Sequence, residues 1–219
     1  MCINMCGGKV SPEQINGISE LRNFNQSADN NKTPIFGRLR DVFTQPGAVL
    51  EIGSGSGQHA IFLAENMRWL AWQPTEQGEL LGDLTANIEE LATDNVLIPV
   101  RLEVGAIWPD GRYDYAYTAN VLHIMSEELM PGFFAEVSER LEPGGICSVY
   151  GPFRYNGHFT TESNAHFDLF LKETYPHGGI RDFEVVCAEA DRHGFELLHD
   201  FNMPANNQLL VFRLSTSAS

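Results

Sequence analysis

The sequence is poor in basic side chains. Only 14 Lys and Arg residues stand against 29 Asp and Glu residues, which gives the 219-residue chain a formal charge of -15 at pH 7. The basic residues are scattered and form no run along the sequence. Because phosphate backbones and anionic lipid surfaces repel a protein of this charge, nucleic acid and membranes are not expected as partners.

Long apolar runs are absent as well. The apolar stretches fall well short of the roughly 20 residues that a transmembrane helix requires. The N-terminal stretch MCINMCGGKV lacks the basic start and the apolar core of a signal peptide. We therefore expect a soluble, cytoplasmic protein.

Cysteine is scarce and irregularly spaced. The four cysteines, at positions 2, 6, 147 and 187, do not form the pattern of a disulfide scaffold. Cys2 and Cys6 are expected to be reduced thiols on a loose terminus rather than metal ligands. The histidines are dispersed along the chain, and no HxxxH or CxxC motif accompanies them. The sequence thus predicts no metal site.

The hydrophobic content of 43% is sufficient for one globular domain with a sizeable core. Residues 1–32 are rich in Asn, Ser and Gly and show no sustained periodicity, so they are expected to form a partly disordered N-terminal arm. The Ser/Thr-rich residues 215–219 are expected to be a disordered tail. The folded domain is therefore placed at 33–214, with a first helix beginning at Thr33.

Patterns typical of strands and of helices alternate along this domain. The strand patterns are VLEIG, MRWLAWQPTE, NVLIPVRLEV, DGRYDYAYTANVLHIM, GGICSVYGPF, ELLHDFNMP and NQLLVFRL. Apolar residues at helical spacing predict helices between them, and an irregular insertion at about 154–181 contains one more helix near 162–175. This alternation predicts a doubly wound α/β fold with a mostly parallel seven-stranded sheet, to which a C-terminal hairpin adds one antiparallel strand.

The first strand ends in a turn of three alternating glycines. In VLEIGSGSGQHAIFLA, Gly53, Gly55 and Gly57 separate an apolar strand from a helix. Glycines adopt positive φ and carry no Cβ, so backbone amides at the start of this helix can approach a nucleotide-like ligand closely. Glu51 lies within the strand, where a polar cofactor group would explain a carboxylate. Because Gly55, Gly57 and Ala60 also fit the G-x-G-x-x-A dinucleotide fingerprint, a nicotinamide-dependent oxidoreductase is an open alternative.

Two further carboxylates follow the next two strands. Glu76 comes just after the second strand pattern and Glu103 after the third. Together with Glu51 they can line one crevice, where Glu76 would accept hydrogen bonds from ribose hydroxyls and Glu103 from an adenine amino group. Gln73 is an alternative for the ribose role. Glu76 also has the alternative role of a first-turn acid that stabilises the following helix.

The order of these features resembles a class I S-adenosylmethionine-dependent methyltransferase. The resemblance rests on EIGSGSG, the two acids after the strands, YDYAYTANVLHI, LEPGG and the terminal hairpin, and it covers nearly the whole chain after Thr33. It implies that the cofactor is S-adenosyl-L-methionine, with the glycines wrapping its methionine and ribose moieties and Asn120 beside the sulfonium. The implied cofactor-binding residues are Glu51, Gly53, Ser54, Gly55, Gly57, His59, Gln73, Glu76, Glu103 and Asn120.

Several separate strings resemble, more narrowly, the methyltransferase-like protein 26 group. They are WQPTE, NVLHI, YGPF, ESNAHFD, GIRDFE and MPANN. The chain departs from that group's pattern in having Glu rather than Asp at positions 76 and 103, which lengthens each side chain by one methylene. In SADNNKTPI it has Asn30 where the group has Arg, so any charge contact made by that Arg would be missing.

Methyl transfer is a displacement at carbon, which requires alignment of the acceptor and exclusion of water more than it requires a base. The residues whose types suit an acceptor pocket are Tyr150, Phe153, Asn164, Asp168, Asn206 and Asn207. Core packing is the alternative for Phe153, and local turn preferences are the alternative for the two hairpin asparagines. His123, after the fourth strand, is the candidate base for a hydroxyl or ammonium acceptor, and its alternative is a packed histidine.

These observations predict an S-adenosylmethionine-dependent methyltransferase that acts on a small-molecule or peptide-sized acceptor. A non-catalytic module that binds cofactor or a partner on the same fold is the main alternative, because no catalytic base is obvious from the sequence. The residues give no indication of an oligomeric state.

Overall fold

The computed structural model describes residues 21–216. Cys2 and Cys6, most of the predicted arm and the end of the predicted tail lie outside the described residues. None of the helices within 21–216 is long and apolar enough to cross a bilayer.

Six α-helices and ten strands alternate along the described residues. The helices are α1 (Gln26–Val42), α2 (Gln58–Asn66), α3 (Leu81–Leu91), α4 (Met130–Arg140), α5 (Glu162–Thr174) and α6 (Phe183–Arg192). The strands are β1 (Gly47–Ile52), β2 (Leu70–Glu76), β3 (Val100–Arg101), β4 (Tyr113–Ala119), β5 (Leu141–Gly151), β6 (Phe153–Tyr155), β7 (His158–Phe159), β8 (Arg181–Asp182), β9 (Phe195–Met203) and β10 (Asn207–Leu214).

Seven of these strands form one sheet in the order β3-β2-β1-β4-β5-β10-β9. Strands β1 to β5 pair in parallel. β10 is antiparallel to both of its neighbours, β5 and β9. The predicted seven-stranded, mostly parallel sheet with an antiparallel C-terminal hairpin is therefore confirmed.

Helices cover both faces of the sheet, because each face carries its own apolar cluster. The cluster under α4 and α6 includes Phe133, Phe134, Val137, Val186 and Ala190. The cluster under α1, α2 and α3 includes Ile35, Leu39, Leu63, Leu84 and Ile88. Strands buried on both faces cannot alternate apolar with polar residues, which explains the near-continuous apolar run of β1.

The strand order changes direction between β1 and β4. From β1 the chain proceeds outwards through β2 to β3, and it then returns to place β4 on the other side of β1. In open α/β sheets such a switch point creates a crevice at the carboxyl ends of the strands, where ligands bind. The glycine turn after β1 lies at this switch point.

The first helix begins earlier than the sequence predicts. α1 begins at Gln26 rather than at Thr33, so residues 26–32 are helical and do not belong to an arm. The side chain of Asn25 caps it by accepting hydrogen bonds of 2.8 and 3.1 Å from the N–H groups of Ser27 and Ala28. Pro34 lies inside the helix rather than at its start. The polar stretch QSADNNK has no apolar period, which is why periodicity does not detect this part.

The second and third strands also differ from their predicted lengths. β2 extends through Glu76, which is its last residue, and α3 begins only at Leu81. Glu76 is therefore not a first-turn acid of α3. β3 is reduced to two residues, preceded by Pro99, which has no N–H for a ladder. Ile98 is mostly exposed, so the branched residues before Pro99 do not form a buried strand.

The insertion at 154–181 contains the predicted helix, α5, together with a small sheet that periodicity does not predict. This second sheet has the order β7-β6-β8. Its strands are two or three residues long, too short for an alternating pattern to be recognised. One face of α5 lines the crevice.

Candidate functional site

A cleft of about 1120 Å³ opens at the switch point of the large sheet. The glycine turn, the ends of β2, β4 and β5, the first turns of α1, one face of α5 and the β9–β10 connection line it. Small-molecule sites usually measure about 300–1,000 Å³. This cleft therefore has room for more than one small ligand.

Most of the residues that the sequence assigns to cofactor or acceptor meet in this cleft. The structure places at its lining Glu51, Gly53, Ser54, Gly55, His59, Glu76, Glu103, Asn120, His123, Tyr150, Asn164 and Asn207. These residues come from seven separate segments of the chain. Their convergence is a property of the fold, since no two of the carboxylates are closer than 25 residues in sequence.

Two predicted cofactor residues lie outside the cleft. Gly57 has a φ of 84°, and a Cβ there would lie 2.9 Å from Leu84 and 3.2 Å from Ile88. This glycine therefore allows α2 and α3 to pack closely rather than a ligand to approach. The amide of Gln73 donates a hydrogen bond of 2.9 Å to the carbonyl of Ile98, so it does not face the ribose position that the alternative gives it.

Three predicted acceptor residues also lie outside the cleft. Phe153 is fully buried in the apolar cluster under α4 and α6, as its packing alternative predicts. Asp168 is buried beside the cleft-lining face of α5, where it accepts a hydrogen bond from the N–H of Ile180 and pairs with Lys172. Asn206 has a φ of 59° at the β9–β10 connection, which is the turn role that its alternative predicts.

The glycine turn is held in shape by its own amides. The N–H of Ser54 donates to the carbonyl of Thr75 at 2.8 Å, and the N–H of Gly55 donates to Oε2 of Glu76 at 2.7 Å. No atom lies within 4 Å of the position that a Cβ of Gly55 would take, and its φ is 57°. Gly55 therefore faces open cleft, while its amide already serves a carboxylate.

This arrangement disfavours a dinucleotide. A pyrophosphate requires free amides and a positive local field at the turn. Here the carboxylate of Glu76 occupies the amide of Gly55, and its negative charge would repel a phosphate at that position. The amide of Gly55 is thus not free for a pyrophosphate in this structure, although an acid at the position of Glu76 is also part of the dinucleotide fingerprint.

Glu51 lies at the floor of the cleft and is almost completely buried. One carboxylate oxygen accepts a hydrogen bond of 2.7 Å from the indole N–H of Trp72. Burial raises the pKa of Glu51 to about 7, and the nearby charge of Glu76 contributes in the same direction. A cationic ligand group in the cleft would therefore stabilise its ionised form.

The other two strand-end acids differ in their surroundings. Glu76 is buried, and its second oxygen accepts a hydrogen bond of 2.9 Å from the N–H of Gln77. Glu103 is half-exposed at the edge of the cleft, and Arg101 pairs with its carboxylate at 2.8 Å. The pair shows that Glu103 is oriented by a neighbour on β3 rather than by the floor of the cleft.

Asn120 follows β4 in a left-handed conformation with a φ of 62°. Its N–H donates a hydrogen bond of 2.9 Å to the carbonyl of Tyr150 at the end of β5. Asparagine tolerates this conformation better than most residues with a Cβ. The backbone thus turns sharply at the carboxyl end of β4 and brings the side chain of Asn120 to the cleft.

His123 is a buried histidine whose ring lies at the cleft. Burial, with a smaller contribution from the positive charge of Arg181, lowers the pKa of His123 to about 4. The guanidinium of Arg181 donates to the carbonyls of Leu122 and Met125, which flank the histidine in sequence. The loop after β4 is thereby fixed, and the imidazole is neutral at pH 7.

His59 is structural in this form of the protein. Its Nε2 faces the carbonyl of Ala28 at 3.2 Å and Oδ1 of Asn31 at 2.7 Å, so Nε2 carries the proton. Nδ1 then accepts a hydrogen bond of 2.9 Å from the hydroxyl of Tyr117. Burial lowers the pKa of His59 to about 4. The ring connects α2 with the first turns of α1 and with β4.

Sequence reasoning does not detect the segment that precedes α1. Asn23, Asn25 and Asn31 line the cleft, although the Asn-rich composition of this region predicts an arm. Arg22 anchors the segment, because its N–H donates to the buried side chain of Asn87 at 3.0 Å. Asparagine-rich composition suits a loop held by side-chain hydrogen bonds as well as it suits disorder, so composition alone cannot distinguish them.

The aromatic face of α5 is also absent from the predicted acceptor set. The residues of α5 at the cleft are Ser163, Asn164, Phe167, Phe170 and Leu171. Their spacing of three and four residues places them on one side of the helix, and this period is visible in the sequence. Asp168, four residues after Asn164, lies beside this face, but its side chain is buried against the N–H of Ile180 and Lys172 and does not line the cleft.

The charge of the cleft is one-sided. Four carboxylates line it, from Glu51, Glu76, Asp83 and Glu103, and none of the described lining residues is Lys or Arg. Within 21–216, no group of three or more His, Cys, Asp or Glu side chains is arranged to hold a metal ion. The cleft therefore favours cationic ligands over anionic ones.

Residues 22–214 match the family described as "Protein of unknown function (DUF938)". The chain belongs to the DUF938 family. This match includes the segment before α1 that forms one wall of the cleft. The DUF938 domain in this chain therefore begins before the first residue of the predicted domain, Thr33.

The DUF938 chain is also similar in structure to solved methyltransferases. The O-methyltransferase family 2 protein from Planctomyces limnophilus, crystallised with apigenin, matches with a TM-score of 0.75 at 14% identity over 85% of this chain and 58% of that one. The S-adenosylmethionine-dependent methyltransferase SibL in its apo form matches with a TM-score of 0.74 at 18% identity, covering 86% and 56%. PigF with SAH matches with a TM-score of 0.72 at 17% identity, covering 84% and 56%.

The DUF938 chain thus has the Rossmann-like fold of class I methyltransferases. It spans a little over half the length of these solved structures. At such low identity the similarity is one of fold, and the function of the chain has to be argued from its own cleft.

Proposed function

We propose that this protein is an S-adenosylmethionine-dependent methyltransferase that acts on a small-molecule or peptide-sized acceptor. The observation that carries the proposal is that Glu51, Gly55 and Glu76 meet in one cleft at the switch point, and that a Cβ at Gly55 would lie in open space. The fold agrees with this function, and the solved methyltransferases of similar structure support it.

The lining of the cleft fits this cofactor. S-adenosylmethionine carries a sulfonium, an ammonium and a carboxylate group, and the four carboxylates of the cleft provide the charge opposite to the first two. Glu51 would bind a polar group of the methionine moiety, Glu76 the ribose hydroxyls and Glu103 the adenine amino group. The open position at Gly55 would let the cofactor approach the backbone of the turn.

The bound cofactor supplies an electrophilic methyl group, and the chain supplies alignment and a dry cleft. Asn120, held in its left-handed turn, would lie beside the reacting centre. The aromatic face of α5 and the hydroxyl of Tyr150 would enclose the acceptor, since both line the same cleft. Positioning of this kind is sufficient for displacement at carbon, because the reaction needs two reactants held in line.

His123 would accept the proton of a hydroxyl or ammonium acceptor. Its imidazole is neutral at pH 7 and lies at the cleft, so it can receive a hydrogen bond from the acceptor. A pKa of about 4 also makes it a weak base. This second property favours the alternative, a non-catalytic module that binds S-adenosylmethionine on the same fold.

Isothermal calorimetry with S-adenosylmethionine tests the proposal. Binding heat and competition by S-adenosylhomocysteine are expected, while NADH fluorescence should not change when the protein is added. Absence of both heat and competition would overturn the proposal. Formation of a methylated product in a broad acceptor screen would then separate the enzyme from the non-catalytic module.

Two narrower proposals rest on the sequence. The strings quoted above support membership of the methyltransferase-like protein 26 group. The acidic composition supports partners other than nucleic acid and membranes.

A further inference from the structure

α5 presents an aromatic wall, formed by Phe167 and Phe170, to the cleft. The rings of Phe167 and Phe170 are stacked, with centroids 6.2 Å apart and planes within 16° of each other. Phe167 is 37% exposed and Phe170 is 54% exposed, although both belong to the cleft lining. Two large rings left accessible side by side in a concave site are typical of ligand-binding surfaces rather than of a core.

The wall adjoins the candidate base. The imidazole of His123 lies 5.6 Å from the ring of Phe167, and the two planes meet at 72°. The carbonyl of His123 also accepts a hydrogen bond of 2.9 Å from Gly179, which follows α5 in the insertion. The wall and the histidine are therefore fixed relative to each other, and a ring that lies on the wall has an edge near the imidazole.

The surroundings of the wall are unfavourable to an anion. None of the described residues that line the cleft is Lys or Arg, whereas four carboxyl side chains line it. A carboxylate, sulfonate or phosphate placed here would lose its hydration without gaining a cationic partner. The side-chain NH2 groups of Asn164 and Asn207 at the cleft already donate to neighbouring oxygens of the protein, so they do not compensate an anion.

We infer that the α5 wall selects the acceptor, and that it takes a flat, uncharged aromatic compound while excluding the corresponding anion. The inference rests on the proposed function in one respect, because the bound compound is a methyl acceptor only if the protein is a methyltransferase. Phe167 and Phe170 are the specificity-determining residues in this assignment. The aromatic stacking surface gives affinity, and the one-sided charge gives selectivity.

Two related dyes test the selectivity on the full chain. N-phenyl-1-naphthylamine is uncharged, and 8-anilinonaphthalene-1-sulfonate has the same ring system with an added sulfonate. Both become fluorescent in apolar sites, so a titration gives a dissociation constant for each. We expect the uncharged dye to bind at least about tenfold more tightly, which corresponds to about 1.4 kcal/mol.

Variants locate the binding at the wall. Phe167→Ala combined with Phe170→Ala should weaken binding of the uncharged dye at least fivefold, because the stacking surface is removed. Leu169→Ala is the matched control, since Leu169 is on the same helix, is 59% exposed and does not line the cleft. It should change the dissociation constant less than twofold.

Three results would overturn the inference: no binding of the uncharged dye, equal binding of both dyes, or equal effects of the paired variant and Leu169→Ala. Circular dichroism of the variants verifies that the fold is intact. Calorimetry with S-adenosylmethionine on the same samples separates the two proposals. Cofactor heat without dye selectivity would refute the inference alone, and dye selectivity without cofactor heat would refute the proposed function alone.

Discussion

The carboxylate of Glu76 accepts a hydrogen bond of 2.7 Å from the backbone N–H of Gly55. This bond joins the end of β2 to the turn after β1, so the acid and the glycine turn form one unit at the switch point. The same carboxylate is proposed to bind ribose hydroxyls. Its position is thereby fixed before any ligand arrives, which reduces the entropic cost of binding.

Replacing Glu76 tests this unit. Glu76→Gln retains an oxygen that can accept from Gly55 and removes the charge, so the fold should persist while affinity for S-adenosylmethionine falls about 10- to 100-fold. Calorimetry measures the affinity. Glu79→Gln is the control, because Glu79 is an exposed acid three residues on that does not line the cleft. Equal affinities for the two variants would contradict the ribose assignment.

A side chain at Gly55 should block the cofactor without blocking folding. Gly55→Val places its Cβ in open cleft, at a φ of 57° that costs roughly 1–2 kcal/mol for a residue with a Cβ. Gly157→Val carries a similar backbone penalty at a φ of 75°, also into open space, but outside the cleft. Both variants should lose similar thermal stability, and only Gly55→Val should lose cofactor binding. Unchanged affinity in Gly55→Val would refute the site.

The sequence predicts the fold well because its signals are local and regular. The glycine turn after β1, the apolar stripes of the helices and the short connector before β10 all depend on neighbouring residues, and the seven-stranded sheet follows from their order. The strand-end acids Glu51 and Glu76 can be placed at the cleft for the same reason. In a parallel sheet, the end of a strand determines which edge a residue faces.

The errors concern residues whose roles depend on distant contacts. Gln73 has the right type for ribose, yet the carbonyl of Ile98 holds its amide. Asp168 has the right type for an acceptor pocket, yet the N–H of Ile180 and the ammonium of Lys172 engage its carboxylate. No local pattern reports such partners. The segment before α1 escapes detection for the same reason, since its partners include side chains 33 to 65 residues away along the chain.

Asn87 connects that distant segment to the glycine turn. It is fully buried, exchanges hydrogen bonds of 3.0 Å with the backbone of Arg22 in both directions, and donates at 2.8 Å to the carbonyl of Ser56. Asn87→Ala should therefore lower the free energy of unfolding by about 1–3 kcal/mol and also weaken cofactor binding, although Asn87 does not line the cleft.

Chemical denaturation and calorimetry measure these two effects of Asn87→Ala. Glu90→Gln is the control, because it removes only the exposed ion pair of Glu90 with Arg22 at 2.8 Å. It should change neither quantity appreciably. If Asn87→Ala bound the cofactor as tightly as the control, the segment before α1 would not be part of the cofactor site.

The pH dependence of turnover tests the role of His123. If His123 accepts the acceptor proton, the acid limb of kcat/KM should lie near pH 4 rather than near 6.5, because burial and Arg181 lower its pKa to about 4. His123→Asn should then lower kcat more than it lowers cofactor affinity and should abolish this limb. If the variant had the kcat and the pH profile of the wild type, His123 would be a packing residue.

Glu51 should make the protein less stable at neutral pH, because its buried carboxyl resists ionisation. Its pKa rises from an ordinary value of 4.5 to about 7 in the folded protein. Below pH 4.5 the group is protonated in both the folded and the unfolded chain, so it has no effect. As the pH rises to 7 the unfolded chain ionises first, and the free energy of unfolding falls by up to about 1–3 kcal/mol.

Glu51→Gln removes this titration while keeping an oxygen for the indole N–H of Trp72. The variant should match the wild type near pH 4, become more stable than it between pH 4.5 and 7, and keep that advantage at pH 8. It should also bind S-adenosylmethionine more weakly, since the carboxylate that would meet a cationic group is gone. Thermal unfolding at several pH values, with Glu79→Gln as the control, measures the first effect and calorimetry the second. Parallel stability curves for the variant and the wild type would show that Glu51 ionises normally. If the variant were more stable but bound the cofactor with the affinity of the wild type, the carboxylate of Glu51 would have no part in the site.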